Sequence, residues 1–291
     1  MKKTMRTVIA GLILGASVSA MAEDKTVVLG TPAKPPGDKS KFKIFLLVGQ
    51  SNMAGRATIT PEDTQPDPRV LVLNKQNKWY CQGEPIHFDK PEVCGVGPGF
   101  TFAKLLAEQE PGITVGLVPC AFGGTTLEQW SPTSAEIFYK PYNLYNNALR
   151  RIRIALESGT LAGILWHQGE SDASQWEKEQ KAEQTGTVEP SLAPYAVPYA
   201  TRLAKLVTQL RADLNAPKVP FIAGEIRVPQ SYNAQINLIP VTIPNSAVVS
   251  VKGLHANNGL HFENAEQKEI ARRYLTEYLK FQQNLTSPGN H

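Results

Sequence analysis

One serine, Ser51, stands where a long apolar run ends among small and amide residues. Residues 43–56 read KIFLLVGQSNMAGR. The apolar part predicts a buried strand, and the turn after it places the hydroxyl beside the free N–H groups of the following helix, which stabilise negative charge. Such a serine is suited to be the nucleophile of acyl transfer. The alternative is that Ser51 and Asn52 only cap that helix.

Further polar residues follow four later apolar runs, at 113–118, 161–166, 219–223 and 247–251. These runs are short and rich in branched residues, as is typical of strands covered on both faces. Because the carboxyl ends of parallel strands meet at one edge of a sheet, we expect the residues after the runs to converge there. They include Gly123, Gly124, His167, Gln168, Glu170, Asp172, Glu225, Arg227, His255 and His261.

These residue types supply what ester cleavage needs. Ser51 offers the hydroxyl, and His261 is the preferred base because imidazole titrates near neutral pH. The expected oxyanion donors are the backbone N–H of Ser51, a backbone N–H of the Gly123-Gly124 loop and the side-chain amide of Gln168. The alternatives are an ordinary turn for the glycines and a structural amide for Gln168.

Helical patterns separate the apolar runs, at 100–109, 144–157, 199–214 and 264 to about 282. A further short strand is predicted at 70–73. The alternation predicts an α/β fold, with a parallel sheet of about five strands, helices on both faces and right-handed crossovers. The polar, proline-containing segment 174–198 is expected to be an insertion over the site edge, as a lid or a mobile loop.

The first residues predict export. Lys2, Lys3 and Arg6 precede an apolar core at 8–18, which is shorter than the ~20 residues of a membrane span, and Ala20-Met-Ala22 fits a cleavage site. We therefore predict a signal peptide at 1–22, a flexible lead-in at 23–42, the functional domain at 43–283 and a tail at 284–291. The protein is expected in the periplasm or outside the cell. An uncleaved membrane anchor is the alternative.

Composition excludes several partners. The 291-residue chain has a net charge of +4, of which the signal segment carries three, so about +1 remains and no basic face for nucleic acid is expected.

In an oxidising compartment Cys81 and Cys94 are able to form a disulfide, a pairing left open here, while Cys120 is expected to be buried and free. The histidines lack the companion ligands of a zinc site, so we expect no metal and no other cofactor.

Four segments, in this order, resemble the SGNH hydrolase superfamily: Gly49-Gln-Ser-Asn52, Gly123-Gly124, His167-Gln-Gly-Glu170 and Gly259-Leu-His-Phe262. They are most similar to the branch that holds sialate O-acetylesterases and the acetylxylan esterases of carbohydrate esterase family 6. The similarity spans about residues 43–280. It implies a flavodoxin-like three-layer α/β/α sandwich that carries a metal-independent serine esterase.

One position departs from the superfamily pattern. That pattern has an Asp three residues before the histidine, where this chain has Asn258, which lacks the charge that stabilises an imidazolium. The resemblance to family 6 implies Glu170 as the acid instead, with Asp172 as the alternative. His255 is a second possible base, but His261 lies in the matching segment, and His167 is expected to be structural.

The expected function is an exported carbohydrate O-acetylesterase acting on an acetylated polysaccharide or oligosaccharide of the xylan type. Asn52, Trp130, Glu225 and Arg227 are tentative substrate contacts, and Tyr139 and Tyr142 extend the aromatic group near Trp130. Two alternatives are a sialate O-acetylesterase and a non-catalytic carbohydrate-binding relative. A lipase-like enzyme would need an apolar acyl channel, for which the sequence gives no sign. The oligomeric state stays open.

Overall fold

The computed structural model describes residues 30–134, 143–185, 197–254 and 259–286. The predicted signal peptide, Tyr139, Tyr142, His255 and Asn258 lie outside these ranges, so the structure does not test the predictions made for them. In the part of the chain that is described, no helix combines the length and apolar character needed to cross a bilayer.

The centre of the molecule is one eight-stranded sheet with the spatial order β1-β4-β3-β5-β2-β6-β7-β8. Its six strands from β3 to β8 in that order pair in parallel, and β4 and β1 add an antiparallel edge. The strands are β1 Thr31–Pro32, β2 Phe42–Gly49, β3 Val70–Leu73, β4 Trp79–Cys81, β5 Thr114–Pro119, β6 Thr160–His167, β7 Phe221–Gly224 and β8 Ser246–Val249.

Eight α-helices accompany the sheet in the described ranges. They are α1 Ser51–Ala54, α2 Pro98–Gln109, α3 Leu144–Leu156, α4 Glu170–Gln184, α5 Tyr199–Asp213, α6 Asn233–Ile236, α7 Ile239–Thr242 and α8 Asn264–Thr286. The four helices predicted from apolar periodicity correspond to α2, α3, α5 and α8. Residues 174–184 of the predicted lid or loop form part of the mostly polar helix α4, whose sequence has no clear apolar stripe, and residues 186–196 lie outside the described ranges.

Two separate cores cover the two faces of the sheet. Along β2, Phe42, Ile44 and Leu46 point into a core shared with α3 and α5, whereas Phe45 and Leu47 point into a core shared with α2 and α8. Successive side chains of a strand face opposite sides, so a strand buried on both faces reads as a continuous apolar run. The predicted three-layer α/β/α architecture is therefore confirmed, with more strands than the five expected.

Part of the predicted flexible lead-in pairs with the antiparallel edge of the sheet. Thr31 pairs with Cys81, and the backbone N–H of Ala33 donates to the Trp79 carbonyl. The lead-in is thus joined to the sheet at its described end. The disulfide left open between Cys81 and Cys94 is absent, since both thiols are free, as is the buried Cys120. Cys81 Sγ lies 3.4 Å from the Asp67 carbonyl oxygen instead.

Candidate active site

Ser51 begins α1 directly after the central strand β2. The bend between them depends on Gly49, which has φ +122° and whose added Cβ would lie 2.2 Å from the His167 carbonyl oxygen. The backbone of Gly49 and Gln50 is also hydrogen-bonded to the loops after β5 and β6, through Phe122 and His167. Only glycine fits this close approach, so the sharp turn that presents Ser51 is built into the sheet.

The Ser51 hydroxyl contacts the predicted base. His261 Nε2 lies 3.0 Å from Ser51 Oγ, across 210 residues of sequence. This distance suits proton transfer from a serine to an imidazole. The contact forms because the segment before α8 returns to the same sheet edge as β2.

The serine and the histidine lie in an open cavity of about 790 Å³ at the carboxyl edge of the sheet. A cavity of this size accommodates a small organic ligand or part of a larger one. Both cationic and neutral polar side chains line it, together with apolar ones at its mouth. The lining residues are Gln50, Ser51, Arg56, Lys90, Val93, Gly123, Gly124, Thr126, Glu170, Ser171, Ser174, Gln175, Leu260 and His261.

The surroundings of His261 favour the neutral form of its imidazole. Partial burial disfavours the charged ring, and the positive charges of Arg56 and Arg227 add to this effect, so the pKa of His261 is lowered from its ordinary value. Arg227 also donates from Nη1 to the His261 carbonyl oxygen at 3.3 Å. A neutral imidazole is the form that accepts the serine proton.

Glu170, the predicted acid, lines the cavity as the first residue of α4. Its Oε1 accepts a hydrogen bond of 2.5 Å from Asn52 Nδ2, while its buried Oε2 has no partner among the described residues. Burial, and to a lesser extent the charge of Asp172, raise the pKa of Glu170 to about 7 against the effect of the Asn52 hydrogen bond. No hydrogen bond joins Glu170 to the His261 ring within the described ranges.

Two of the predicted oxyanion donors remain available. Among the hydrogen bonds of the described residues, the backbone N–H groups of Ser51 and Gly124 have no acceptor. The N–H of Gly123 instead donates to Asp89 Oδ2 at 2.8 Å. Gly123 still lies against the predicted nucleophile, since an added Cβ would be 3.4 Å from Ser51 Cβ. This places the glycine loop beside Ser51 and leaves Gly124 as its free donor.

Gln168 is not brought to the cavity. It is fully buried, and its Nε2 donates to Asp172 Oδ2 at 2.6 Å and to the Thr125 carbonyl oxygen at 3.0 Å. Its Oε1 accepts from the Tyr199 hydroxyl at 2.7 Å. Since the amide is occupied on both sides, the structural alternative describes it better than the predicted oxyanion role.

Asp172 belongs to the same buried network and does not reach His261. Its Oδ2 also accepts from the Leu127 N–H at 2.8 Å, and its Oδ1 accepts from Arg202 at 3.1 Å. These contacts join α4 to α5 and to the loop after β5. The geometry therefore does not support Asp172 as an alternative acid.

Two of the predicted substrate contacts, Trp130 and Glu225, are buried outside the cavity lining and bond to local partners. Trp130 is 2% exposed, donates from Nε1 to Thr125 Oγ1 at 3.2 Å and packs edge-on against Trp166. Glu225 accepts hydrogen bonds from Asn237, Ser250 and Val251. Trp130 is thus a core residue and Glu225 fastens the loop after β8, because in both cases local partners satisfy the polar groups.

Asn52 and Arg227 act on the histidine segment rather than facing the cavity. Asn52 is fully buried and bonds to the backbone of Leu260 and Phe262, and Arg227 contacts the His261 carbonyl oxygen. His167 is buried as well, beside the Tyr274 hydroxyl, and burial lowers its pKa to about 4. The prediction that His167 is structural agrees with this position.

Two charged lining residues, Arg56 and Lys90, were not predicted from the sequence, and neither was Asp89, which contacts Arg56 and the Gly123 N–H. Arg56 and Asp89 form a buried ion pair of 2.5 Å beside Gly123, and Lys90 lies 5.7 Å from the centre of the Phe122 ring. Arg56 is the last residue of the serine motif. A charged residue directly after a buried turn is a sequence signal that would have identified it as a site residue. Asp89 and Lys90 lie in a loop without periodicity, where the sequence gives no such signal.

No metal site accompanies these residues. In the described parts of the chain, no group of three or more histidine, cysteine or acidic side chains is arranged to hold a metal ion.

A serine and a histidine in contact at the carboxyl edge of a mostly parallel sheet are the arrangement of a serine hydrolase with an α/β fold. Residues 41–280 match the model of the family described as carbohydrate esterase, sialic acid-specific acetylesterase. The chain belongs to this family and is an acetylesterase-type hydrolase.

Individual relatives agree with this assignment. A probable carbohydrate esterase of Arabidopsis thaliana is 30% identical over 262 residues, covering 81% of this chain and 90% of the relative. A crystal structure of an Arabidopsis thaliana protein superposes with a TM-score of 0.67 at 28% identity, over 82% of this chain and 98% of the other.

More distant structures share the fold. NanS has a TM-score of 0.58 at 15% identity, with 85% of this chain and 99% of NanS covered. A carbohydrate acetylesterase from Xanthomonas citri has a TM-score of 0.55 at 17% identity, with 80% and 55% covered.

Proposed function

We propose that this protein is an exported O-acetylesterase that removes acetyl groups from a carbohydrate of the acetylated xylan type, with Ser51 as nucleophile and His261 as base. The observation that carries the proposal is the 3.0 Å contact between Ser51 Oγ and His261 Nε2 in an open cavity. The family description and the printed names of the relatives support an acetylated carbohydrate as substrate.

The reaction proceeds in two steps. His261 Nε2 takes the proton of Ser51 while Oγ bonds to the acetyl carbon, and the N–H groups of Ser51 and Gly124 stabilise the oxyanion. The carbon–oxygen bond to the sugar then breaks, and His261 returns the proton to the sugar oxygen. A water molecule, deprotonated by His261, attacks the acetyl-serine, and acetate leaves as the proton returns to Ser51. Glu170 supports the histidine as the acid component of the site.

The site also suits delivery of a bulky substrate. The cavity is open, and Val93 and Leu260, about half exposed at its mouth, offer apolar contacts to a sugar ring. An acetyl group is small enough to reach Ser51 while the rest of a polysaccharide stays outside.

Sialate O-acetylesterase is the second candidate, and the cations in the cavity favour it. Arg56 and Lys90 line the cavity, and Asp89 compensates only the first of them through the buried ion pair. A carboxylated sugar would find a partner in Lys90. Acetate release from acetylated xylan, mannan, pectin and O-acetylated sialic acid distinguishes the two candidates by their kcat/KM.

The decisive variant is Ser51→Ala, which removes the nucleophile and leaves the fold intact. We expect loss of acetate release from p-nitrophenyl acetate and from the best carbohydrate. Ser246→Ala is the matched control, because Ser246 bonds only to carbonyls of 239 and 243 at the start of β8. Activity retained by Ser51→Ala would refute Ser51 as the nucleophile, whereas a native protein without activity would refute the proposed function and favour the non-catalytic binding protein.

A further inference from the structure

We infer that Asn52 is a positioning residue through which Glu170 sets the orientation of His261, so that the carboxylate acts on the histidine by way of a buried amide. This inference rests on the proposed function, since it concerns the same serine and histidine.

Asn52 holds the backbone on both sides of His261. Its Nδ2 donates to the Leu260 carbonyl oxygen at 3.3 Å, and its Oδ1 accepts from the Phe262 N–H at 3.2 Å. Asn52 directly follows Ser51 in α1. One rigid amide therefore fixes the distance between the helix that carries the nucleophile and the segment that carries the base.

The carboxylate of Glu170 strengthens the orientation of this amide that the Leu260 carbonyl and the Phe262 N–H also favour. Glu170 Oε1 accepts from the same Nδ2 at 2.5 Å. A flipped amide would set its oxygen against two acceptor oxygens, of Glu170 and of Leu260, and its NH₂ against the Phe262 N–H. The ionised Glu170 thus adds a short hydrogen bond to the orientation in which Asn52 bonds to the backbone on both sides of His261.

The amide is buried and anchored from a third side. Asn52 is fully buried, and its backbone carbonyl accepts from Gln267 Nε2 of α8 at 3.2 Å. Hydrogen bonds in such a buried site are stronger and better at fixing one geometry than exposed ones. Three elements, α1, α4 and α8, are thus tied together at Asn52.

The alternative is a direct acid that stabilises the His261 imidazolium by its charge. It predicts that Glu170→Gln is as damaging as Glu170→Met, because both remove the charge, and that both shift the acid limb of the pH profile. The indirect route predicts a different ranking. Glutamine keeps an oxygen that accepts from Asn52, whereas methionine does not.

The test measures kcat, KM and the pH profile of acetate release for Glu170→Gln, Glu170→Met, Asn52→Leu and the double variant Glu170→Met with Asn52→Leu. We expect Glu170→Gln to stay within about tenfold of the native kcat. Glu170→Met and Asn52→Leu should each lose about a hundredfold in kcat with KM within about threefold. The double variant should be no worse than Asn52→Leu alone, because both changes break one connection.

Asn143→Ala is the matched control. Asn143 donates to the carbonyls of Ser131 and Ser134 and caps α3, away from the cavity lining. Its loss should lower thermal stability without changing kcat per folded molecule. A purely structural Asn52 would behave in the same way.

Several outcomes overturn the inference. The inference is wrong if folded Asn52→Leu has the native kcat, or if the losses in kcat of the two single variants multiply in the double variant. It is also wrong if both Glu170 variants lose the same amount of kcat and both shift the acid limb of the pH profile. If Asn52→Leu does not fold, the comparison of Glu170→Gln with Glu170→Met decides alone. Activity in Ser51→Ala would instead refute the proposed function, so the two failures are distinguishable.

Discussion

Asp89→Asn is expected to destabilise the protein by about 3 kcal/mol, because it breaks a buried ion pair. The side chains of Arg56 and Asp89 are 6% and 2% exposed, and their atoms lie 2.5 Å apart. Asp89 also accepts from the Gly123 N–H at 2.8 Å and lies 3.2 Å from Cys94 Sγ. The substitution leaves a buried guanidinium without its counter-charge.

The expected loss of stability depends on which contacts of Asp89 an asparagine can still make. Loss of one partner of a buried pair costs about 3–5 kcal/mol. Asparagine keeps one oxygen that can accept from either Arg56 or Gly123, which places the expected cost at the lower end. A matched exposed case is Glu269→Gln, whose partners Arg272 and Arg273 lie on the surface of α8, and there about 0.5 kcal/mol is expected.

Urea unfolding followed by circular dichroism measures both variants. With an m-value of about 3 kcal/mol/M, Asp89→Asn should lower the midpoint by about 1 M. The kcat should fall as well, because Asp89 holds the Gly123 backbone beside Ser51. Glu269→Gln should leave both quantities close to native.

The pH dependence gives a second check. Burial opposes ionisation of Asp89, but the hydrogen bond and charge of Arg56 outweigh it, so the pKa of Asp89 is held below its ordinary value. A lowered pKa stabilises the fold above the unfolded value, about 3.9, and this contribution is lost as the pH falls through the folded value. The difference between native and variant should therefore shrink below about pH 4. A variant within 1 kcal/mol of native at pH 7, or a constant difference, would refute the reasoning.

Three further predictions concern the site and the thiols. The acid limb of kcat should lie below the ordinary pKa of histidine, and Arg227→Gln should move it upward, since it removes a positive charge near His261; an unmoved limb would contradict this cause. Gly49→Ala should prevent folding or abolish activity, because its Cβ would lie 2.2 Å from the His167 carbonyl oxygen; soluble, fully active variant protein would contradict the turn geometry. A thiol reagent should find three free thiols after unfolding but react slowly with the native protein, where burial raises the pKa of Cys94 to about 12; fewer thiols would indicate a disulfide.

Strong periodic signals made most of the fold predictable. The run before Ser51 became the central strand β2, and the four helices with clear apolar stripes are α2, α3, α5 and α8. The helix α4 was expected to be a lid or loop because its polar residues give no stripe. The edge strands β1 and β4 were missed because two or three residues are too few for a period to show.

Only part of the site was predictable from the sequence. The physical reason is not the same for each of its residues. Ser51 follows the central strand and His261 lies in a segment that resembles a known family, so both were predicted at one sheet edge, where the structure places them in contact. Gln168 and Trp130 also follow strands, yet nearby partners draw their polar groups inward. Whether a polar side chain faces the cavity or the core depends on those neighbours, which lie far away in sequence.

The sequence by itself determined the α/β architecture, and with the resemblance of its motifs it predicted that Ser51 and His261 lie together at one sheet edge. Only the tertiary structure decided how the acidic group is connected to the histidine. It placed Asn52 between Glu170 and the His261 segment, and it placed the pair of Arg56 and Asp89 behind the glycine loop. Such contacts join residues more than a hundred positions apart or in aperiodic loops, and they depend on atomic distances that no local pattern encodes.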